Sequence, residues 1–375
     1  MKITILALHL GYGGIEKFIS NISNMLNKDN EVEIISIYKL YDEPPFPINK
    51  NVKITYLLDG LKPNKNEFIS SLKKHKIFDV LKQSYIALKI LYLKKYKMKQ
   101  AIKKIDSDII ISTIAPHNKL VSKYAHKNIK KIATEHNYNF TNTKYISNVI
   151  KSCKNIDYLV IASKKLANMY SEKMQNMHCK VKNISLGLDQ IPNELSNLNN
   201  KSITYIGRLS MEKGVLDLIE VFKKINEKDN SIILNIVGDG DLYNDIEEKI
   251  KEYDLEKNVI LHGYKVKDEL KNILLNTSIG INTSYTESFG LAIIEMFSYG
   301  IPCVAFSSAE GTTEIIDDET DGYIIKERNK EIMAERVVEL INNETKLKQF
   351  GINAKEKSLK YEEKTIKSQW DELLN

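Results

Sequence analysis

Residues 202–238 read SITYIGRLSMEKGVLDLIEVFKKINEKDNSIILNIVG, and this stretch decides the fold class. Two short apolar runs, at 202–207 and 232–238, flank a segment at 215–225 whose apolar residues recur every three to four positions. The short runs are typical of buried strands and the longer one of an amphipathic helix. A strand, a crossover helix and a second strand predict a parallel sheet that is covered by helices.

The same alternation extends through both halves of the chain. In the second half, further strand patterns lie at 258–264, 278–285 and 302–306, and helix patterns at 242–253, 267–276 and 291–300. In the first half, strand patterns lie at 2–10, 31–38, 108–114, 130–136 and 158–163, and helix patterns at 15–27 and 118–126. These patterns predict an α/β protein with two Rossmann-like, doubly wound domains, which we expect to face each other across a ligand-binding cleft.

Length and composition agree with two domains, because 375 residues with 42% hydrophobic content can form two cores of ordinary size. The polar segment 191–200, IPNELSNLNN, is predicted to be the linker. The predicted domains are then 1–190 and 201–358. Residues 359–375 include an amphipathic pattern with the only tryptophan, Trp370.

The cysteines and the apolar runs indicate a cytoplasmic protein. Cys153, Cys179 and Cys303 have no metal-ligand spacing and are expected to be reduced thiols. No apolar run reaches the roughly 18 residues that a membrane span needs. The apolar run at 3–10 ends in a glycine turn without a cleavage site, so we interpret it as a first strand rather than a signal peptide.

Charge is distributed unevenly along the chain. Residues 1–200 carry 32 Lys and 16 acids, whereas 201–375 carry 23 Lys and Arg and 33 acids. Within 81–104, lysines alternate with tyrosines and aliphatic residues, which suits the surface of an anionic membrane. The alternative is a domain helix that packs its apolar side inward and leaves its lysines in water. We expect a peripheral position at the inner face of the plasma membrane and a lipid-linked or otherwise anionic acceptor.

Two glycine-rich turns follow predicted strands. In GRLSMEKG, Arg208 and Lys213 place two cations before a helix, which favours a diphosphate site over solvated surface cations. In GYGG, Gly13 and Gly14 allow a ligand to approach the backbone closely, although turn glycines need no ligand. The second turn fails as a dinucleotide fingerprint because Glu16 replaces the third glycine, and this disfavours a dinucleotide oxidoreductase.

The segment TESFGLAIIE, residues 286–295, crosses a strand-to-helix turn and holds two acids. Glu287 lies in the turn, before amides that start the helix and could bind phosphate or sugar oxygens. Glu295 lies one to two turns into the helix, where the paired hydroxyls of a ribose would satisfy a carboxylate. Alternatively, Glu287 complements the helix dipole and Glu295 lies on the surface.

Taken together, GGIEK, GRLSMEKG, VGDGD, HGY and TESFGLAIIE resemble, in order and spacing, the retaining glycosyltransferases of family 4. The resemblance is strong in the second half and loose in the first. It implies the GT-B fold, with the C-terminal helix crossing back to the first domain. It also implies transfer from a UDP- or GDP-sugar to a saccharide or lipid-linked acceptor, as a hexosyltransferase of cell-surface polysaccharide synthesis.

The resemblance also implies roles for single residues. Arg208 and Lys213 would neutralise the diphosphate, Glu295 would hold the ribose, and Glu287 would act on the sugar. A histidine of the first domain would line the site: His136 is preferred and His117 competes. Further donor contacts would come from Gly13, Gly14, Tyr264, Ser288, Phe289, Gly290 and Leu291.

The two cations take over the task of a metal, so no divalent ion is predicted to be required. A metal-dependent GT-A transferase would use an Asp-x-Asp motif, and 106–108 and 239–241 both match its letters. A non-catalytic nucleotide-sugar-binding protein is a further alternative, which the complete set of four charged residues disfavours. Nucleic acid is not an expected partner, because no known module accompanies the basic half.

Overall fold

The structure is a computed structural model that describes residues 1–73, 77–137, 141–188, 190–265 and 267–375. The chain forms two compact units. The first comprises Met1–Ile184 together with Trp370–Asn375, and the second comprises Ser185–Gln369. Residues 191–200 belong to the second unit in this division, and the predicted domain limits stay a prediction.

The first unit is built on a parallel sheet whose strands alternate with helices, except that β2 and β3 are joined without one. Its strands are β1 (Lys2–Ala7), β2 (Glu31–Tyr38), β3 (Lys53–Leu58), β4 (Ile109–Ser112), β5 (Lys130–Glu135), β6 (Tyr158–Ile161) and β7 (Lys180–Asn183). Its helices are α1 (Gly14–Leu26), α2 (Lys65–Lys73), α3 (Ile77–Ile102), α4 (Ala115–Tyr124), α5 (Thr143–Ser152) and α6 (Lys164–Lys173). The strand order is β3-β2-β1-β4-β5-β6-β7.

The order of the first sheet reverses between β1 and β4, which pair in parallel. β1 is apolar except for Lys2 and Thr4, and Ile3, Ile5 and Leu6 are fully buried. A strand covered by helices on both faces has this composition. Ligands of doubly wound sheets bind outside the carboxyl ends of the strands at such a reversal, and here the loop after β1 carries Gly13 and Gly14.

The second unit repeats this architecture with six strands. They are β8 (Ser202–Ile206), β9 (Ile233–Val237), β10 (Val259–Gly263), β11 (Ile279–Asn282), β12 (Cys303–Phe306) and β13 (Gly322–Ile325). Its helices are α7 (Val215–Lys228), α8 (Tyr243–Glu252), α9 (Lys267–Leu275), α10 (Leu291–Ser298), α11 (Glu310–Ile315), α12 (Lys330–Ile341), α13 (Glu344–Ser358) and α14 (Glu363–Leu374), the last of which ends in the first unit.

The second sheet has the parallel order β10-β9-β8-β11-β12-β13 and reverses between β8 and β11. The loops after these two strands contain Arg208, Lys213 and Glu287. The prediction of two α/β doubly wound domains is therefore confirmed. Strands β3, β7 and β13, which all lie at a sheet edge, were not predicted. The side chains of β3 and β7 are mostly exposed or half-buried, which weakens the apolar pattern of a strand, whereas β13 is a buried run of only four residues.

The last six residues complete the core of the first unit. Trp370 is buried, and its ring lies 6.4 Å from that of Phe18. Lys130 Nζ donates hydrogen bonds to the carbonyl oxygens of Leu373, at 3.3 Å, and Leu374, at 2.7 Å. Every described helix falls short of the length and apolar character that a bilayer span requires.

Candidate active site

The loop after β8 turns tightly and presents Arg208 to solvent. At Gly207 a Cβ atom would lie 2.6 Å from the hydroxyl of Tyr205, and that hydroxyl donates to the Arg208 carbonyl at 3.2 Å. At Gly214, φ is +63° and a Cβ would lie 2.0 Å from the Thr283 carbonyl. Only glycine permits this close approach, which brings the loops after β8 and β11 together.

Lys213 and Glu287, the predicted diphosphate cation and the predicted sugar-binding acid, form an ion pair. Lys213 Nζ lies 2.6 Å from Glu287 Oε2, and the side chains are 23% and 18% exposed. The pair is therefore partly withdrawn from water yet reachable. Burial and the nearby Glu287 carboxylate raise the pKa of the Tyr205 phenol, which stays protonated beneath the pair.

The turn that carries Glu287 is fixed by its backbone. The Gly311 amide donates to the Glu287 carbonyl at 2.9 Å, and a Cβ at Gly311 would lie 2.6 Å from that oxygen. Phe289 is buried, with its ring 5.8 Å from that of Tyr361. Gly290, with φ +96°, immediately precedes α10 as its N-cap. The first amides of a helix lack acceptors within the helix, so this end is suited to an anion.

Glu295 and Tyr264 lie outside the two loops that carry the ion pair. Glu295 is half-buried on α10, and Ser298 Oγ donates to its carbonyl oxygen at 2.7 Å. Tyr264 is exposed and follows β10, two strands away from β8. Contacts of Glu295 and Tyr264 with the donor therefore stay predictions. Glu295 lies on α10, the helix that follows the loop of Glu287.

The Asp-x-Asp segment 239–241 supports the loop that carries Arg208. The Leu209 amide donates to the Asp239 carbonyl, and the Leu242 amide donates to the Leu209 carbonyl, both at 3.0 Å. Asp239 Oδ1 accepts from the Gly240 amide at 2.7 Å. Within the described residues, no three His, Cys, Asp or Glu side chains are grouped as metal ligands.

In the first unit, Gly13 precedes α1 with φ +155°, a conformation that side chains rarely adopt. A Cβ at Gly14 would have no neighbour within 4 Å, so the backbone is open to a ligand there. Sequence reasoning missed the polar pair beside this turn, in which His9 Nδ1 lies 3.3 Å from Glu16 Oε1. The acid of GGIEK, in place of the third glycine, was the signal that could have suggested it.

His136 follows β5 and is held from two sides. Its Nε2 lies 2.7 Å from Thr134 Oγ1, and its ring lies 4.5 Å from that of Phe18. Burial lowers the pKa of His136 to about 4, so the imidazole is neutral at pH 7. The competing His117 is 2% exposed at the start of α4, and burial likewise lowers its pKa to about 4.

Glu135, which sequence reasoning also missed, is a buried carboxylate at the end of β5. Its Oε1 accepts from the amides of His136, at 3.0 Å, and Asn137, at 2.7 Å, and from the Tyr145 hydroxyl at 2.8 Å. Burial raises the pKa of Glu135, and these three donors partly offset that effect. The carboxylate thereby fixes the backbone from which His136 projects.

The chain is similar in sequence to known glycosyltransferases. Residues 189–357 match the family model described as Glycosyl transferases group 1. The poly(ribitol-phosphate) alpha-N-acetylglucosaminyltransferase of Staphylococcus aureus is 27% identical over 376 residues, which cover 96% of this chain and 70% of the relative. The amylovoran biosynthesis glycosyltransferase AmsD of Erwinia amylovora is 24% identical over 372 residues, which cover 97% of this chain and 96% of the relative.

A solved structure shows the same fold across the whole chain. The S. aureus TarM mutant in complex with fondaparinux, alpha-GlcNAc-glycerol and UDP has a TM-score of 0.79 at 18% identity, and the match covers 100% of both chains. At that identity the likeness establishes the fold alone. The parallel sheets and this match exclude the GT-A alternative.

Proposed function

We propose that this chain, a glycosyltransferase of the GT-B fold with a glycosyl transferases group 1 domain, transfers a sugar from a UDP- or GDP-sugar to a saccharide or lipid-linked acceptor. The observation that carries the proposal is the 2.6 Å pair of Lys213 and Glu287, beside Arg208 at the strand-order reversal of the second sheet. Assignment to the retaining family 4 is part of the proposal and is supported by the Glu287 and Glu295 spacing.

Breaking the bond between a sugar and a nucleoside diphosphate leaves negative charge on the departing phosphate. Arg208 and Lys213 would stabilise that charge together with the amides that start α10. Lys213 would turn from Glu287 toward the phosphate when the donor binds. Glu287 would then be released to hydrogen-bond the sugar and to stabilise its positive character in the transition state.

Glu295 would hold the ribose hydroxyls, and neutral His136 would line the sugar site as a hydrogen-bonding group. We propose no divalent ion, because two fixed cations supply the positive charge that a metal supplies in other transferases. The segment 239–241 would then support the loop of Arg208, with which it makes backbone contacts at Leu209.

The donor and the pathway are proposed from the relatives. The TarM complex contains UDP, so UDP-sugars are the first donors to test. Two relatives are named for poly(ribitol-phosphate) and for amylovoran, which supports a role in cell-surface polysaccharide synthesis. A phosphate-bearing acceptor would also be attracted by the first half of the chain, which carries a net charge of +16.

We also propose that α3 contacts an anionic membrane surface. One side of the helix packs into the core through Ile90, Met98 and Ile102. The other side exposes an apolar stripe, which is formed by Phe78 (88% exposed), Leu81, Tyr85, Leu88 and Tyr92. An exposed apolar stripe with cations beside it suits the headgroup region of a bilayer.

The charges of α3 favour a membrane over a second copy of the chain. Lys82, Lys89, Lys95 and Lys97 are exposed on α3, and Asp79 is the only acid in the sequence of this helix. Pairing two such helices would bring like charges together, whereas anionic lipids would neutralise them. This proposal places the enzyme peripherally at the cytoplasmic leaflet.

The function is tested by adding nucleoside diphosphates and their sugars to the purified chain. UDP or GDP should raise the melting temperature, because a ligand that binds only the folded state stabilises it. The matching nucleotide sugar should then be transferred to a saccharide acceptor with and without EDTA, and NMR of the product should show retained anomeric configuration. Absence of any nucleotide-dependent shift would contradict the donor assignment, and inhibition by EDTA would contradict the metal-free mechanism.

The membrane proposal is tested by flotation with vesicles of phosphatidylglycerol or of phosphatidylcholine alone. Binding to the anionic vesicles should fall with salt, and Tyr85→Ser with Leu88→Ser should abolish it. Ile352→Ser, at an exposed apolar position of α13, is the matched control and should bind like the parent. Equal binding by both variants would assign the interaction elsewhere.

A further inference from the structure

Arg328 is bonded to three separate segments of the second unit. Its Nη1 donates to the Ser284 carbonyl at 3.0 Å and to Ser308 Oγ at 2.8 Å. Its Nη2 donates to the Thr283 carbonyl at 2.9 Å and to Asp217 Oδ2 at 2.5 Å. A planar guanidinium can make four such bonds at once, which a lysine ammonium cannot.

Aromatic rings enclose the same guanidinium. Its carbon lies 3.6 Å from the ring centroid of Tyr285 and 4.4 Å from that of Phe306. The Arg328 side chain is only 18% exposed. Ion pairs and hydrogen bonds that are shielded from water hold their geometry more firmly than those at the surface.

The backbone at Arg328 is held in an unfavourable conformation. Arg328 has φ +50° and the preceding Glu327 has φ +52°, and both carry a Cβ that disfavours this region. Strained residues persist where their surroundings determine them, and they are concentrated at functional sites. The four hydrogen bonds and two ring contacts of Arg328 are such surroundings.

The segments joined by Arg328 are those that carry the reacting charges. Thr283 and Ser284 lie three to four residues before Glu287, and Asp217 lies on α7, four residues after Lys213. Two further bonds connect the same segments. The Tyr285 amide donates to the Glu212 carbonyl at 2.9 Å, and the Tyr285 hydroxyl donates to Asp217 Oδ2 at 2.7 Å.

We propose that Arg328 is a positioning residue for sugar transfer, which fixes the loop of Glu287 against the loop of Lys213. This inference rests on the proposed function of those two residues. Without Arg328, the carbonyls of Thr283 and Ser284 lose their charged donor, and Glu287 is no longer held at one distance from its partner. Catalytic groups displaced by about 1 Å can lose about 100-fold in rate.

The test compares Arg328→Ala with Arg336→Ala, because Arg336 is a more exposed arginine of the same unit that forms an ion pair with Glu339 on its own helix. In Arg328→Ala, kcat should fall by about 100-fold. The affinity for UDP, measured by calorimetry, should fall by less than about tenfold, because Arg208, to whose side chain Arg328 makes no bond within the described residues, would still bind the diphosphate. Arg336→Ala should match the parent in both.

Two measurements separate positioning from a loss of fold. Hydrogen exchange of the amides 284–290 should accelerate in Arg328→Ala and not in Arg336→Ala. Guanidinium ion added at millimolar concentration should restore part of kcat in Arg328→Ala, whereas Arg328→Lys should stay impaired because it lacks the planar fork. If Arg328→Ala does not fold, Arg328→Lys and Tyr285→Phe test the same contacts between the loops of Lys213 and Glu287.

The outcomes distinguish this inference from the proposed function. Parent-like kcat in a folded Arg328→Ala or Arg328→Lys would overturn the positioning role, and so would a parallel loss of kcat and UDP affinity. Failure of the parent chain to transfer from any nucleotide sugar would instead overturn the proposed function. Hydrogen exchange of the amides 284–290 would still show whether Arg328 fixes the loop of Glu287.

Discussion

The two units hold ionisable groups in opposite ways at the carboxyl ends of their sheets. In the second unit the charges are retained, since Lys213 pairs with Glu287 and Arg328 with Asp217. In the first unit burial opposes charge, because it raises the pKa of Glu135 and lowers that of His136 to about 4. The second unit therefore offers the fixed charges on which the proposed stabilisation of a leaving diphosphate depends, whereas the first offers neutral hydrogen-bonding groups.

The largest effects should come from breaking the charged site of the second unit. Arg208→Ala and Glu287→Ala should each lower kcat by about 100- to 1,000-fold, because each removes a charge that we propose to stabilise the transition state. Steady-state turnover and circular dichroism would measure rate and fold. Near-parent rates in either folded variant would remove the charged site from the mechanism.

A smaller effect should follow from Glu295→Gln, which keeps the shape and removes the charge. We expect donor affinity to weaken by about 10- to 100-fold while kcat changes less, because bonds from ribose hydroxyls to a carboxylate act in both ground and transition states. Calorimetry with the nucleoside diphosphate measures this. A loss confined to kcat would place Glu295 at the reacting sugar instead.

The neutral site of the first unit is tested through His136. With a pKa of about 4, the ring stays neutral from pH 6 to pH 8, so its ionisation should add no inflection to the pH profile of kcat in that range. His136→Gln should lower kcat by about tenfold and leave the shape of the profile unchanged. An inflection near pH 6.5 that disappears in this variant would show that His136 titrates there and would contradict a neutral imidazole at pH 7.

The smallest expected effect concerns stability. Burial alone would raise the pKa of Asp217, but bonds from Lys330, Arg328 and Tyr285 lower it to about 2. A depressed pKa stabilises the fold above the unfolded value of 3.8, and that stabilisation disappears as the pH falls toward about 2. Asp217→Asn should therefore cost about 2 kcal/mol at pH 7, and urea unfolding should show the difference shrinking below pH 4.

If the difference in unfolding free energy between the parent and Asp217→Asn were constant from pH 7 to pH 2.5, the Asp217 carboxylate would not be the stabilising group. Lys249→Ala, which removes another lysine contact to α7, provides a control, because Lys249 pairs with Glu220 rather than with Asp217. Its effect should be smaller, since Glu220 keeps its contact with Lys330.

The sequence predicted the α/β class because buried parallel strands and amphipathic helices differ in period. It also predicted Arg208, Lys213 and Glu287, because each lies in a loop that joins a strand to the following helix. Their pairing required the strand order, which only the structure provides. The roles of these residues stay predictions.

Arg328 could not be found in this way. It lies in KERNKE, which resembles a solvated charged turn, and its partners Ser284 and Asp217 are 44 and 111 positions away along the chain. Glu135 was missed for a related reason, because a single acid at a strand end does not reveal which amides and hydroxyls will surround it. Contacts of this kind depend on tertiary packing rather than on local pattern.

The position of Trp370–Asn375 in the first unit has a consequence for biosynthesis. The ribosome makes these six residues only after the whole second unit, whereas Met1–Ile184 emerges much earlier. At about 5–20 residues per second, the first unit waits roughly 10–40 s for Trp370. Until then, the core surface around Phe18 and the Lys130 ammonium lacks its partners, so chains released early would expose it to chaperones and proteases.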